Sequence, residues 1–131
     1  MHEQEKKIKA LLCDDETDFR QLMSFWMQSK GYTVVEASNG QEAVEIARKE
    51  NPDIIFLDLN MPVMDGTEAL MKIREFNKTV PVIIISAYVE DKRAKEAMSA
   101  GIAGVFYKGK DFQEGLALLE AALHTHRQLK K

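Results

Sequence analysis

The chain is 131 residues long, 45% of its residues are hydrophobic, and its formal charge at pH 7 is -3. This size suits one globular domain. Because the chain has no excess of basic residues, we expect no direct nucleic-acid binding. The single cysteine, Cys13, excludes an internal disulfide and a multi-thiolate metal site, and its place in an apolar run predicts a buried side chain. The amino terminus lacks a secretory stretch and no run approaches the ~20 apolar residues of a membrane span, so we expect no membrane partner and a cytoplasmic location.

Short apolar runs and helical patterns alternate along the chain after a polar lead-in at residues 1–7. The apolar runs have the length and β-branched content of strands. We predict strands at Ile8–Cys13, Tyr32–Ala37, Ile54–Leu57, Val82–Ile85 and Gly104–Tyr107. Helical spacing and capping residues predict helices at Thr17–Lys30, from Ser38-Asn39-Gly40 to Asn51, at Thr67–Phe76, at Glu90–Ala100, and after Asp111.

The first predicted helix has an apolar face that should pack on the core. Phe19, Leu22, Met23, Trp26 and Met27 recur at helical spacing along it. We interpret the methionines of the chain, like this tryptophan, as core packing and not as part of a cofactor site.

Regular alternation of strands and helices predicts parallel strands joined by right-handed helical crossovers. The predicted fold class is therefore α/β: a doubly wound, flavodoxin-like (βα)5 three-layer sandwich with strand order 2-1-3-4-5. We expect residues 8–128 to form one domain and residues from about 125 to 131 to be a polar tail or a linker stub.

Polar side chains follow four of the predicted strands directly. Asp14 and Asp15 follow the first, Asp58 the third, Ser86 the fourth and Lys108 the fifth. Because the carboxyl ends of parallel strands share one edge of the sheet, these side chains should lie together. Three crowded carboxylates repel one another unless a cation compensates, and Mg²⁺ suits carboxylates combined with phosphate oxygens.

At these positions the chain resembles the response-regulator receiver domains of two-component signalling, such as the chemotaxis regulators. The resemblance covers nearly the whole chain, from about Ile8 to the last helix. It rests on five separated elements: Asp14-Asp15, Asp58, Asn60-Met61-Pro62 with Gly66, Ser86-Ala87, and Lys108.

The resemblance implies a phosphoacceptor site that uses Mg²⁺ or Mn²⁺. Asp58 would accept the phosphoryl group, Asp15 would bind the metal directly and Asp14 mostly through water. The Asp58 carboxylate and the backbone carbonyl of Asn60 would complete the protein ligands. Such a domain supplies position and positive charge to a loose, in-line transition state, so we classify it as a signalling domain that assists its own phosphorylation, not as an enzyme.

The remaining implied roles concern the bound phosphoryl group and the output. Lys108 would supply positive charge, Ser86 would donate a hydrogen bond to a phosphoryl oxygen, and the small Ala87 would leave room for it. The implied partners are a sensor histidine kinase or histidine phosphotransfer protein and a downstream protein target. That target, or a second copy in a homodimer, would bind the face of helix 4, strand 5 and helix 5.

Two positions depart from the family pattern. Val105 stands three residues before Lys108, where the family usually has an aromatic residue that swings inward on phosphorylation; Tyr107 or Tyr88 could replace it. Gly109 stands where proline, often after a cis bond, is usual; a cis bond before a non-proline residue costs about 3 to 4 kcal/mol, so the bond should be trans or held by packing.

Three other functions compete with phosphoacceptance. A receiver-like module that binds proteins without phosphorylation is the main rival, because Val105 alters the usual switch. A flavodoxin-type carrier would need a phosphate-binding loop after the first strand, where this chain has acids. An aspartyl-nucleophile hydrolase would need its acid pattern after the first strand together with a substrate-covering insertion, and the sequence contains no visible insertion of that kind.

Tyr88 generates a prediction on the lifetime of the phosphorylated form. Asn60 and Tyr88 occupy the two variable positions that flank the implied phosphorylation site. There the Tyr88 ring would hinder the water that attacks the acyl phosphate. Tyr88→Ala should therefore dephosphorylate faster than the wild type in a phosphoryl-loss time course. An unchanged or slower rate contradicts this role.

Overall fold

Five parallel strands and five helices alternate along the part of the chain that the computed structural model describes. That part is residues 7–87 and 92–129, with only the backbone of 126–129. The strands are β1 Lys9–Cys13, β2 Thr33–Ala37, β3 Ile54–Asp58, β4 Val82–Ser86 and β5 Gly104–Tyr107. The helices are α1 Thr17–Ser29, α2 Gly40–Glu50, α3 Gly66–Phe76, α4 Lys92–Ser99 and α5 Phe112–Leu129.

The sheet has the order β2-β1-β3-β4-β5, and all four pairings are parallel. The predicted fold class and strand order are therefore confirmed. Each strand end differs from its prediction by at most one residue, whereas the predicted start of the fourth helix, Glu90, lies outside the described residues. The other helices begin and end within about one residue of the predicted positions at the ends where the sequence has capping residues. Asn39, before α2, is an example, because its side chain accepts a hydrogen bond from the Glu42 N–H.

Two hydrophobic layers sandwich the sheet because successive strand residues face opposite sides. On one side, Ile55, Leu57, Val82 and Ile84 pack with residues of α2, α3 and α4. On the other side, Ile54, Phe56, Ile83, Ile85 and Phe106 pack with residues of α1 and α5. Both faces of β3 and β4 are thereby covered, which explains why these strands read as continuous apolar runs.

The predicted apolar face of α1 is wrong at Leu22, whose surface is 58% exposed. Met23 and Met27, one turn apart, are the apolar residues that α1 buries against the sheet. Trp26 is only partly buried, and its ring lies 6.1 Å from that of Phe112 of α5. Because α5 covers the sheet beside α1, α1 contributes only a narrow stripe to the core.

The interpretation of the methionines as core residues is also only partly correct. Met71 and Met98 are 59% and 64% exposed, because each lies on the outer face of its helix, whereas Met23, Met27 and Met61 are buried.

Cys13 is buried as predicted, and burial raises the pKa of its thiol. Among the helices of residues 7–87 and 92–129, none combines the length and apolarity that crossing a membrane requires.

Gly66 places the first turn of α3 directly against the end of β3. Its N–H donates to the carbonyl of Leu59 over 3.0 Å. A Cβ at this position would lie 2.2 Å from the backbone oxygen of Asp58 and 2.8 Å from the Cα of Leu59. Only glycine allows this approach, which sets where α3 begins relative to Asp58.

Gly66→Ala is therefore expected to lower the free energy of unfolding by about 2 to 3 kcal/mol, since backbone atoms have to move to admit the methyl group. Gly115→Ala in α5 is the matched control, because there the nearest atoms would be 3.5 Å away. It should raise stability by about 0.5 to 1 kcal/mol through helix propensity. Chemical denaturation measures both, and equal effects would contradict the assigned role of Gly66.

Candidate functional site

The carboxyl ends of β1, β3, β4 and β5 bring the predicted polar residues together. They surround a cavity of about 230 Å³, whose lining residues are Asp15, Glu16, Asp58, Leu59, Asn60, Ser86, Ala87, Arg93 and Lys108. The sheet register explains this grouping, because Asp58 pairs with Ile85 and Ser86 with Tyr107, so consecutive strands end at the same level. A larger cavity of about 600 Å³ lies near Pro81 and Ile102, at the opposite edge of the sheet.

Three carboxylates converge at this edge. Asp14, Asp15 and Asp58 each offer an oxygen within 4.8 Å of the others, and Asp14 and Asp58 are buried. Two short loops orient the buried pair: Asp14 Oδ1 accepts from the Glu16 N–H at 2.8 Å, and Asp58 Oδ1 accepts from the Asn60 N–H at 3.1 Å. The structure therefore groups the three acids that the sequence predicted to meet.

The donor set fits a hard divalent cation. Three carboxylates supply oxygen ligands of the kind that Mg²⁺ and Mn²⁺ prefer. In addition, no donor in the described part of the chain makes a well-formed hydrogen bond to the buried Asp14 Oδ2, which lies 3.0 Å from the Lys108 ammonium, although a buried carboxylate oxygen is normally hydrogen-bonded. A metal bound between these acids would satisfy that oxygen.

Lys108 joins the acids from the end of β5. Its backbone N–H donates to the Ser86 carbonyl at 2.8 Å, which holds it beside β4. Its ammonium nitrogen lies 3.0 Å from Asp14 Oδ2 and 3.3 Å from Asp58 Oδ2, and it also donates to Glu16. The Lys108 side chain is only 14% exposed, so its charge acts where water screens it little.

The model of the response regulator receiver domain family matches residues 10–120 of this chain. The chain belongs to this family. Sporulation initiation phosphotransferase F of Bacillus subtilis is 35% identical over 106 residues, which make up 81% of this chain and 86% of that protein. The solved structure of chemotaxis protein CheY4 from Vibrio cholerae is 30% identical, covers 89% of this chain and 99% of its own, and superposes with a TM-score of 0.84.

Larger regulators also contain this receiver domain. Transcriptional regulatory protein ZraR of Escherichia coli is 34% identical over 120 residues, which cover 91% of this chain. The matched part is 27% of that protein. The chain thus spans about a quarter of the length of such relatives.

The pKa of Asp58 in this receiver is raised to about 7. Burial is the largest cause and the negative charge of Asp14 is the second; together they outweigh the Asn60 N–H and the charge of Lys108, which lower it. For Lys108, burial by itself lowers the pKa, but the hydrogen bonds to Glu16 and Asp14 and the nearby carboxylate charges raise it overall. The ammonium therefore stays charged, whereas ionisation of the Asp58 carboxyl costs more free energy here than in water.

Sequence reasoning missed two residues of the receiver site, Glu16 and Arg93. Glu16 follows Asp14 and Asp15 directly in the sequence, but its contact with Lys108 joins residues 92 positions apart, so no local pattern could show it. Arg93 of α4 lines the cavity and donates to the Leu59 carbonyl at 3.2 Å. Its place depends on how α4 packs, which the sequence pattern does not specify.

The residues predicted to switch the receiver have different surroundings. Val105 is partly buried against the core layer of α2, α3 and α4, and Tyr107 is partly buried too. Ser86 is buried and Ala87 is exposed, both beside the cavity, while Tyr88 lies outside the described residues. The described chain has no cis peptide bond, so the bond between Lys108 and Gly109 is trans, and Gly109 adopts a φ of +92° that glycine tolerates.

The raised pKa of Asp58 predicts a pH-dependent penalty on folding. The pKa of an aspartate in the unfolded chain is about 3.9. Between a pH of about 3.9 and about 7, the folded protein therefore keeps a proton on Asp58 that the unfolded chain has lost, and stability falls as the pH rises. The loss of stability is complete above both pKa values and is absent below both. Without divalent metal, Asp58→Asn should therefore raise the free energy of unfolding at pH 8 by on the order of 2 kcal/mol, with little gain at pH 4.

Denaturant unfolding at both pH values measures this difference. The exposed Asp18→Asn in α1 is the control and should change stability by less than about 0.5 kcal/mol. A gain in Asp58→Asn that is equal at pH 4 and pH 8 would show that charge at Asp58 is not the cause.

Proposed function

We propose that this receiver accepts a phosphoryl group on Asp58 from a phosphohistidine and passes the signal on by changing its protein contacts. The donor would be a sensor histidine kinase or a histidine phosphotransfer protein. The observation that carries the proposal is the placement of a buried Asp58 carboxylate between two further acids and the ammonium of Lys108, which lies 3.3 Å away.

Phosphoryl transfer here needs a nucleophile held in position and positive charge around it. An Asp58 carboxylate oxygen forms the new bond to phosphorus while the phosphorus–nitrogen bond of the donor breaks, and the bonding pair leaves with the imidazole. The Asn60 N–H fixes Asp58 Oδ1, which directs the carboxylate. Lys108 balances the charge that the phosphoryl oxygens add beside the acids.

Mg²⁺ or Mn²⁺, when bound, would neutralise the crowded carboxylates and the phosphoryl oxygens. The residues proposed to hold it are Asp14, Asp15 and Asp58, with the backbone carbonyl of Asn60. Ser86 is proposed to bond a phosphoryl oxygen and Ala87 to leave space for it, in keeping with their places beside the cavity.

The output of the phosphorylated receiver is proposed to be a change in the face formed by α4, β5 and α5. A downstream protein, or a second copy of the chain, would recognise this face. Residues 8–128 are proposed to form the whole domain, and a cytoplasmic location stays a prediction. Because ZraR is named a transcriptional regulatory protein, further segments of a longer protein could carry an output of that kind.

A receiver that binds partners without phosphorylation is the second candidate. Val105 favours it, because a valine at this position has no ring to move between two environments. The complete set of acids, serine and lysine at the sheet edge favours phosphorylation instead, since a site used only for protein contacts has no need to crowd buried carboxylates.

Incubation with Mg²⁺ and acetyl phosphate tests the proposed function. The wild type should gain the mass of one phosphoryl group in intact-protein mass spectrometry, and Asp58→Asn should gain none. Asp53→Asn is the matched control, because Asp53 lies just before β3 at the opposite edge of the sheet, where it accepts from the Lys9 N–H at 2.8 Å. It should be labelled like the wild type.

Two results would contradict the assignment. Labelling of Asp58→Asn to the wild-type level would show that another residue is the acceptor. No labelling of the wild type, either by acetyl phosphate or by a histidine kinase panel, would favour the module that works without phosphorylation.

A further inference from the structure

The ammonium of Lys108 has three hydrogens and faces four carboxylate oxygens within 3.3 Å. Three carboxylates from two loops surround it: Glu16, Asp14 and Asp58. Glu16 Oε1 is the nearest oxygen at 2.5 Å, Asp14 Oδ2 follows at 3.0 Å, and Asp58 Oδ2 is the farthest at 3.3 Å. The ammonium is thus shared unequally, with its shortest contact to a residue outside the three-acid cluster.

Helix α1 holds the other side of the same ammonium. Glu16 is the N-cap residue of α1, and the Phe19 ring of its first turn lies with its centroid 5.0 Å from Lys108 Nζ. A cation at this distance from an aromatic face is attracted to it. Glu16 and Phe19 therefore both draw Lys108 toward the start of α1.

A phosphoryl group on Asp58 would compete with Glu16 for this ammonium. Three N–H donors cannot serve Glu16, Asp14, Asp58 and new phosphoryl oxygens together. Of the three carboxylates, Glu16 can most easily exchange its hydrogen bond with Lys108 for hydrogen bonds with water. Its side chain is 63% exposed, whereas Asp14 and Asp58 are buried. The contact to Glu16 is the one that phosphorylation would break.

We propose that Glu16 is a positioning residue that restrains Lys108 in the unphosphorylated receiver and so lowers the affinity of the site for a phosphoryl group. The inference rests on the proposed phosphorylation of Asp58. It assigns a function to an acid that neither binds the phosphoryl group nor belongs to the three-carboxylate cluster. Because Glu16 is exposed, its restraint is expected to be a few-fold effect and not a complete block.

Glu16 has no competing structural role that would obscure a test. As N-cap of α1 its side chain makes no capping hydrogen bond, so its replacement leaves the helix start intact. Its backbone N–H, which orients Asp14 over 2.8 Å, remains in every variant. Glu16→Gln keeps the size of the side chain and removes only its charge.

Binding of beryllofluoride, a phosphoryl mimic, at saturating Mg²⁺ provides the test, with isothermal titration calorimetry as the readout. Glu16→Gln is expected to bind beryllofluoride about three- to fivefold more tightly than the wild type, since an ion pair of this exposure is worth up to about 1 kcal/mol. Glu16→Asp should bind more tightly too, because the shorter side chain keeps the charge but loses the contact. Without beryllofluoride, the free energy of unfolding of both variants should fall by no more than the contribution of the lost ion pair.

Asp18→Asn is the matched charge control, because Asp18 is an exposed acid in the first turn of α1. It should leave beryllofluoride affinity unchanged. The inference is overturned if Glu16→Gln binds like the wild type, if Glu16→Asp does so, or if Asp18→Asn reproduces the gain. In each of these cases the wild type binds beryllofluoride, whereas failure of the proposed function would appear as no binding by the wild type.

Discussion

Repulsion among buried carboxylates is the constraint on which the rest of this receiver depends. Asp14 and Asp58 are buried side by side, with Asp15 close enough to share a cation. Such a cluster opposes folding, because each ionised carboxylate loses solvation and gains a like-charged neighbour. The Lys108 ammonium offsets part of this penalty in the structure, and the remaining negative charge is of the kind that a divalent cation would neutralise.

The doubly wound sheet makes this cluster possible. Strands β1 and β3 are neighbours although a whole β-α unit separates them in sequence, so the loop after β1 and the end of β3 meet at the switch point of the topology. The two hydrophobic layers hold the strands rigidly, and Gly66 brings α3 against the end of β3. A core built from apolar runs thus positions a site that is itself unfavourable for stability.

Lys108 connects the chemistry of the site with the surrounding helices. It contacts an acid in the loop after β1 and an acid at the end of β3, its backbone is hydrogen-bonded to β4, and its ammonium lies over an aromatic ring of α1. That ring is 5.8 Å from Phe112 of α5, which in turn is 6.4 Å from Phe106 of β5. A continuous series of aromatic contacts therefore connects this lysine with α1, α5 and β5.

The amino-acid sequence by itself determined the order and type of all ten elements and the composition of the acid cluster. These follow from local properties: apolar runs predict buried strands, caps mark helix ends, and parallel strands place their carboxyl ends at one edge. The strand order was predicted from the likeness of this alternation to the flavodoxin-like fold, not from any local property. The sequence also showed that Gly109 lacks the ring that favours a cis bond. The tertiary structure alone decided that Leu22, Met71 and Met98 are exposed, because periodicity does not show how wide a stripe each helix buries. It also decided that Lys108 is held by Glu16 and Phe19 and that Arg93 reaches the site, since these contacts join residues far apart in the chain and depend on how the helices pack on the sheet.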